Sequence, residues 1–324
     1  MQPFNWCFIG TGKLAHQVAK QITESGRHRV VSCYTRRFEK AKEFAKEFGA
    51  TAYETEEEAV TAPGVDAVYV VTTHNVHFRN TKKALELGKP VLCEKAFTVE
   101  AKETDELIAL AKEKNLYLAE AMWTWFAPAA NQVLSWVKSG EIGKVTEADF
   151  TYHMKSINYS ERVSDPRRAG GALLDITVYP ITYAYRLFGM PTEIRCEGKL
   201  EGGIDLSEEI ELTFAEGIVA RISASIMDMK GFEKMRISGE KGEIKATLYH
   251  AFNRAKLIRR QGKNEKFKGE GPRLNTYLPE FDTVASEIRE GLTESRMVPL
   301  KATSDVMHIM DECRRQMGLE YECE

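Results

Sequence analysis

The run Gly10-Thr11-Gly12-Lys13-Leu14-Ala15 directly follows an apolar stretch, Trp6-Cys7-Phe8-Ile9, and it constrains the fold more than any other feature. Closely spaced glycines after an apolar run, followed by Ala15, Val18, Ala19 and Ile22 at helical spacing, read as strand, tight turn and helix. The first glycine permits the turn. The second lets a pyrophosphate approach the backbone, and the small Ala15 lets the helix pack on the strand. The helix start presents unpaired N–H groups and the positive end of its dipole. Gly26 marks the helix stop, and residues 28–35 read as a second strand. The expectation is a β-α-β unit that binds a dinucleotide, with hydride transfer as its chemistry. Gly10, Thr11, Gly12, Lys13 and Leu14 are its expected phosphate-side contacts.

The alternation continues. Ala41, Phe44, Ala45 and Phe48 are spaced as one helix face, with Gly49 as the stop. Thr55-Glu56-Glu57-Glu58 has the pattern of a capping box, so its acids read as a solvated helix start. Residues 65–71, 90–93 and 116–121 read as strands, and residues 80–87 and 98–114 as helices. Repeated β-α units imply a doubly wound parallel sheet of the Rossmann type, in which ligands bind at the carboxyl ends of strands. That rule selects Gly10 to Ala15, residues 35–37, 72–77 and 94–95, and the stretch from Glu120 to Trp125.

Beyond residue 121 the style changes. Helices are expected at residues 128–138 and 171–188, and a strand at 144–153. Ile210, Leu212 and Phe214 then alternate with Glu209, Glu211 and Thr213. Glu216-Gly217 reads as a hairpin turn, and Ile218, Ala220, Ile222, Ala224 and Ile226 line one face of the returning strand. Strands are expected at residues 233–239, 242–248 and 256–260, a mobile loop at 261–271, and closing helices at 279–290 and 302–317. The fold class is α/β: an N-terminal Rossmann domain (residues 1–121), then an α+β domain with an open, mostly antiparallel sheet (residues 122–324).

The 324 residues suffice for two cored domains. A net charge of −3 provides no basic field for nucleic acid. No stretch is long and apolar enough to span a bilayer, and no basic segment with an apolar core opens the chain. Cys7, Cys33, Cys93, Cys196, Cys313 and Cys323 are scattered, the pattern of reduced thiols, so the expected location is the cytoplasm. His74 and His77 have a spacing open to metal ligation, but no third ligand stands near them in the sequence, and no metal is expected.

The glycine turn is followed in order by Thr72-Thr73-His74-Asn75-Val76-His77, by Cys93-Glu94-Lys95-Ala96, and by a stretch from Gly170 to Pro180 that reads GGALLDITVYP. Together these resemble the Gfo/Idh/MocA oxidoreductases over nearly the whole chain. Glu120-Ala121-Met122-Trp123-Thr124-Trp125-Phe126 and Tyr179 most resemble the branch of dimeric dihydrodiol dehydrogenases and D-xylose dehydrogenases. The family's Glu-Lys-Pro signature falls on Glu94-Lys95-Ala96, with alanine in place of proline. The resemblance implies that Lys95 stands at the nicotinamide and helps to position or protonate substrate oxygen. It implies that Tyr179, a histidine in many relatives, passes the hydroxyl proton with help from Lys95. Asp175 lies four residues earlier on the same expected helix face, and orients substrate or lysine or bonds to the following loop. Thr72, Asn75, His77 and Glu94 are expected at the cofactor, with His77 bonding to backbone there. Trp123, Trp125 and Phe126 form either an apolar wall for a ring substrate or inter-domain core. Relatives often carry arginine where Trp125 stands. Arg162 and Arg167 reach substrate or phosphate, or are surface arginines.

A site for NAD usually has an acid after the second strand. Here the turn reads Tyr34-Thr35-Arg36-Arg37, which suits a 2′-phosphate. The expected cofactor is therefore NADP(H). The expected function is an NADP-dependent dehydrogenase or reductase acting on a sugar, polyol or cyclic diol; the alternative is a non-catalytic dinucleotide-binding sensor. Val219, Arg221, Ser223, Ser225 and Met227 form a second, mixed strand face, and a homodimer is expected through that sheet.

Overall fold

A computed structural model describes residues 2–323 except 158, 159, 252 and 271–275. The chain forms two compact units: Met1–Trp123 with Tyr277–Ser304, and Thr124–Thr276 with Asp305–Glu324.

In the first unit the strands are β1 (Phe4–Ile9), β2 (His28–Tyr34), β3 (Thr51–Ala52), β4 (Ala67–Val70), β5 (Val91–Glu94) and β6 (Leu118–Ala121). They form one sheet in the order β3-β2-β1-β4-β5-β6, and every pairing is parallel. The helices are α1 (Lys13–Glu24), α2 (Phe38–Phe48), α3 (Glu56–Val60), α4 (His77–Glu86) and α5 (Ala101–Lys114). Helix α1 buries Ala15, Val18, Ala19 and Ile22, and α2 buries Ala41, Phe44 and Ala45, the stripes that the spacing requires. Thr55 and Glu58 form the capping box of α3, each accepting from the other's backbone N–H. Strands β4 and β5 are buried along their whole length, as a sheet covered on both faces demands. The sheet order reverses between β1 and β4, which places the switch point at the end of β1.

In the second unit β7 (Val145–His153), β8 (Glu193–Glu201), β9 (Ile204–Thr213), β10 (Val219–Ser225), β11 (Glu233–Gly239), β12 (Gly242–Thr247), β13 (Arg254–Arg259) and β14 (Glu265–Lys268) form one sheet. Its order is β14-β13-β12-β11-β7-β10-β9-β8. Only β7 and β10 run parallel; the other pairs are antiparallel. Helices α6 (Pro128–Lys138), α7 (Glu161–Ser164) and α8 (Val178–Phe188) belong to this unit, and a π turn, Leu173–Thr177, leads into α8. The chain closes with α9 (Leu278–Arg289) and α10 (Leu300–Met317).

Three features differ from the sequence expectation. Residues 261–271, expected as a loop, contain β14, and β8 was not anticipated; Gly271 lies outside the described residues. Both strands are sheet edges rich in charge, with little buried apolar surface to reveal them. Residues 277–304 pack with the first unit, although the sequence reading grouped them with the second. The cause is apolar: Phe281 of α9 packs edge-on to Trp6 and Tyr69 with ring centroids 4.8 and 5.0 Å apart. Asp282 adds polar ties, accepting from Arg27 Nε at 2.8 Å and from His28 Nε2 at 3.0 Å. Residues 171–188 are one continuous helical run only in outline, because the π turn widens its start.

Candidate functional site

The first unit presents its candidate residues at the carboxyl ends of β1, β2, β4 and β5. Gly10 leaves β1 at φ +106°, a conformation that L side chains rarely adopt, and a Cβ there would clash with the Val71 carbonyl. Its N–H bonds to Tyr34 O at 2.9 Å, which ties the glycine turn to the end of β2. Gly12 is the N-cap of α1, and nothing lies within 4 Å of a Cβ built on it. The first turn of α1 carries no acid and no side-chain cap, so its leading N–H groups face open space. A pyrophosphate fits this cradle, and a side chain at residue 12 would occupy it.

Thr35, Arg36 and Arg37 follow β2, with Arg37 as the N-cap of α2. Both arginines are exposed. Lys13 is likewise exposed, while Leu14 is half-buried. After β4, Asn75 Oδ1 accepts from the Thr73 hydroxyl at 2.7 Å, and Asn80 Nδ2 approaches Thr72 Oγ1 at 3.5 Å. His77 is fully buried. Its Nδ1 lies 2.9 Å from Ala96 O and its Nε2 3.3 Å from Thr72 O. Burial lowers its pKa to about 4, so the ring is neutral and carries one N–H, which the shorter contact assigns to Nδ1. His77 thus fastens the Lys95–Ala96 segment, whose peptide is cis. Its ring is 5.6 Å from that of His74, and among the described residues no three His, Cys, Asp or Glu side chains converge as metal ligands.

Glu94 and Lys95 end β5. Glu94 is buried and accepts from the Tyr69 hydroxyl at 2.5 Å, so it is not an exposed ion-pair partner. Lys95 is half-buried. Trp123 is also buried here, its ring 5.2 Å from that of Tyr277.

The second unit gathers its candidates around the π turn. Val178 N–H bonds to Leu173 O, five residues back, and Pro180 has no N–H to offer Ile176 O. The wide turn therefore changes the relation of Asp175 and Tyr179 from the plain i, i+4 pair of an α-helix. A buried acid pair on β9 anchors the turn. Asp205 Oδ2 accepts from Leu173 N–H at 2.5 Å, and Glu208 Oε2 accepts from the Thr177 hydroxyl at 2.7 Å. Burial, then the neighbouring Asp205, push Glu208 well above the carboxylate range. Gly171 precedes the turn at φ +120°, and a Cβ there would strike the Asp205 carboxylate.

Asp175 is buried, and its Oδ1 accepts from Arg162 Nη1, on the short helix α7, at 2.7 Å. Arg162 is 37% exposed. Arg167, by contrast, is 77% exposed and pairs with Asp165, which makes it a surface arginine. Tyr179 is bordered by Tyr152, with centroids 6.0 Å apart, and by His250 at 5.8 Å. Tyr152 stacks on His250 at 5.2 Å and 21°. His250 is clamped by the buried Glu233, which accepts its backbone N–H at 2.5 Å and faces its Nδ1 at 2.6 Å. Burial, then the Glu233 charge, hold Tyr152 far above the ordinary phenol range, so Tyr152 keeps its proton. The sequence reading missed Tyr152, His250 and Glu233, because the β7–β11 pairing sets Glu233 beside Tyr152 and the turn after β12 brings His250 to both.

Trp125 is buried beneath Arg186, whose guanidinium lies 4.7 Å from the ring centroid and donates to Trp125 O at 3.0 Å. The aromatic wall is therefore divided: Trp123 packs into the first unit and Trp125 into the second, with Phe126 half-buried beside it.

The fold and the glycine cradle define a dinucleotide-binding protein of Rossmann type. The oxidoreductase family model with NAD-binding Rossmann fold matches residues 4–121, and the GFO/IDH/MocA C-terminal domain matches residues 130–245. The chain belongs to the Gfo/Idh/MocA oxidoreductase family. It is 32% identical to D-xylose 1-dehydrogenase (NADP(+)) of Hypocrea jecorina, over 98% of this chain and 92% of that one. Identity is 29% to trans-1,2-dihydrobenzene-1,2-diol dehydrogenase of Mus musculus, with 98% and 97% covered. It is also 29% to scyllo-inositol 2-dehydrogenase (NADP(+)) of Bacillus subtilis, with 98% of each covered. The fold matches a 3-ketoreductase from Actinomadura kijaniata solved with NADP and TDP-benzene, at a TM-score of 0.85 and 23% identity over 97% of this chain and 98% of that one. It also matches an aldose-aldose oxidoreductase from Caulobacter crescentus, at 0.86 and 20% over 97% of each.

Proposed function

We propose that the chain is an NADP-dependent oxidoreductase that moves a hydride between nicotinamide and a hydroxyl-bearing or carbonyl carbon of a sugar, polyol or cyclic diol. The observation that carries this reading is the pairing of two strand ends. The open glycine cradle after β1 is hydrogen-bonded to the end of β2, where Thr35, Arg36 and Arg37 stand in place of the acid an NAD site uses. The full-length relatives include two named for NADP(+) and acting on a sugar and an inositol. Bound NADP(H) supplies the hydride acceptor or donor.

The chain's own residues do the rest. Gly10, Thr11, Gly12, Lys13 and Leu14 hold the pyrophosphate, and Thr35, Arg36 and Arg37 the 2′-phosphate. Thr72, Asn75, His77 and Glu94 shape the strand ends around the cofactor. Lys95 polarises the substrate oxygen. Tyr179 takes the hydroxyl proton in oxidation and returns it in reduction, a role worth roughly 10²–10⁴-fold. Asp175 with Arg162, and His250 with Glu233, fix the surroundings of Tyr179. The protein acts in the cytoplasm, with five of its six thiols buried and unpaired. It pairs as a homodimer through the outer face of the second sheet, where Arg221 lies 3.3 Å from Glu147 and Arg236 2.7 Å from Asp149. The boundary between the dinucleotide-binding and substrate-binding domains falls near residues 121–125, with residues 277–304 returning to the first unit.

Steady-state assays of NADPH oxidation with aldoses, inososes and dicarbonyls, and of NADP+ reduction with D-xylose, test the activity. Turnover with NADP(H) is expected. Cofactor binding without turnover of any of them would leave only the sensor.

A further inference from the structure

Helices cover one face of the second sheet, where α8 packs on β7 and β10, and α6 on β13 and β14. Strand alternation buries Ala148, Phe150 and Tyr152 of β7 on that face and turns Glu147, Asp149 and Thr151 to the other. This open face is divided by charge. On β11 to β14 it carries Lys234, Lys245, Arg254, Lys256, Lys266 and Lys268, all exposed. On β7, β9 and β8 it carries Glu147, Asp149, Glu209, Glu211, Glu193 and Glu197. The dividing line runs between β11 and β7, with four strands on either side. The minority charges have partners beside them. Lys245 lies 2.6 Å from Glu243, Arg195 2.9 Å from Glu193, Lys199 3.4 Å from Glu201 and Arg221 3.3 Å from Glu147.

One row across the sheet shows the division most plainly. Lys268 stands opposite Arg254 at one edge, and Lys234 opposite Thr151 at the centre. The β12–β13 register, continued two residues beyond Lys245 and Lys256, joins these two parts. Thr151 then stands opposite Ser223, Ser223 opposite Glu209, and Glu209 opposite Glu197. The row is positive at one end, neutral at its middle and negative at the other. Like charges directly opposite one another repel. Arg254, Lys268 and Glu197 have no ion-pair partner among the described residues to offset this. Apolar surface stands at the row's middle. The loop from β10 to β11 crosses the end of β7, where Phe232 O accepts from His153 N–H at 3.0 Å and Gly231 lies against the Thr151 side chain. This loop exposes Met229 and Phe232, at 51% and 41%.

We propose that the open face is complementary to itself, and that a second copy of the chain covers it about a two-fold axis parallel to the strands, over the β7–β11 line. Two like faces that meet across a two-fold axis have that axis in the plane between them. An axis along the strands lays the basic half of each copy on the acidic half of the other. The strand order then sets β14 over the other copy's β8 and β13 over its β9. Lys268 meets Glu197, Arg254 meets Glu209, and the two copies' Met229 and Phe232 come together at the axis. An axis across the strands lays basic on basic and acidic on acidic, which like-charge repulsion opposes.

The proposal rests on the homodimer of the proposed function and adds its arrangement. Sedimentation velocity of the full chain at micromolar concentration tests it. The wild type is expected to be a dimer that weakens as sodium chloride is raised. Arg254→Glu with Lys268→Glu makes the whole row acidic, and Glu197→Lys with Glu209→Lys makes its charges all basic. Each double variant, folded by circular dichroism, is expected to self-associate at least about tenfold more weakly than the wild type. An equimolar mixture of the two is expected to restore the dimer, because each reversed half then faces the other variant's reversed half. Where a double variant does not fold, the single changes Lys268→Glu and Glu197→Lys carry the same comparison. Variants that dimerise as tightly as the wild type overturn the arrangement and leave the homodimer standing, as does weakened association that mixing does not restore. A monomeric wild type overturns the homodimer itself.

Discussion

The two units prepare for a ligand in different ways. The first offers mostly backbone: a glycine turn, a helix N-terminus and the ends of parallel strands. The second offers side chains held by other side chains, with Asp205 and Glu208 under the π turn, Arg162 on Asp175, and Glu233 on His250 beside Tyr179. Backbone sites follow from chain geometry and are repeated wherever the geometry recurs. Side-chain sites depend on residues far apart in sequence, so they set what is peculiar to one enzyme. On this account cofactor binding belongs to the first arrangement and proton transfer to the second.

The sharpest way to break the contrast is a methyl group at one glycine in each unit. Gly10→Ala puts a side chain at φ +106° against the Val71 carbonyl, and Gly171→Ala puts one at φ +120° against Asp205. Each is expected to cost about 3 kcal/mol of stability, measured by urea unfolding. Gly10→Ala should also abolish NADPH binding, whereas Gly171→Ala, where folded, should retain binding and lose turnover. Loss of binding in Gly171→Ala would mean that the division of labour is wrong.

A smaller effect sharpens the cofactor half. Arg36→Ala or Arg37→Ala should weaken NADPH binding by roughly ten- to a hundredfold and leave NADH nearly unchanged. Fluorescence titration of both cofactors is the check, and tighter binding of NADH by the wild type would refute the preference.

These two predictions rest on parts that the sequence declared to very different degrees. The glycine turn, the capping box and the β-α alternation are local patterns with a local cause, and each was legible. The strands not anticipated, β3, β8 and β14, are all sheet edges. An edge strand pairs on one side only, and β8 and β14 carry charge along most of their length, so hydrophobic periodicity had little to register. Helix α9 was legible as a helix but not as part of the first unit, because Phe281 finds Trp6 across most of the chain. Around Tyr179, Asp175 was readable from its neighbourhood in sequence. Tyr152, Glu233 and His250 come from β7, β11 and the turn after β12, and only the sheet order unites them. The π turn was hidden as well, since Pro180 early in a helix looks ordinary until the carbonyl it cannot serve is located.

The smallest expected effect is a pH dependence in the first unit alone. Burial raises Glu56 to about 7, against opposing Arg79 and Lys83. A carboxyl whose pKa is higher folded than unfolded contributes stability that is fully present below its ordinary value and fades as pH rises toward 7. Glu56→Gln should therefore lose less stability than the wild type between about pH 5 and about pH 8. Parallel urea-unfolding stabilities at the two pH values would show that Glu56 does not titrate as its burial requires.

The central claim, cofactor held by one unit and proton passed by a residue of the other, is tested most directly by Tyr179→Phe. The measurement is its single-turnover rate at saturating cofactor together with its NADPH dissociation constant, on whichever of D-xylose, scyllo-inositol or trans-1,2-dihydrobenzene-1,2-diol the wild type oxidises. The account predicts a rate at least ~10²-fold lower with an unchanged dissociation constant. A near wild-type rate would contradict it and return Tyr179 to a packing role beside Tyr152 and His250.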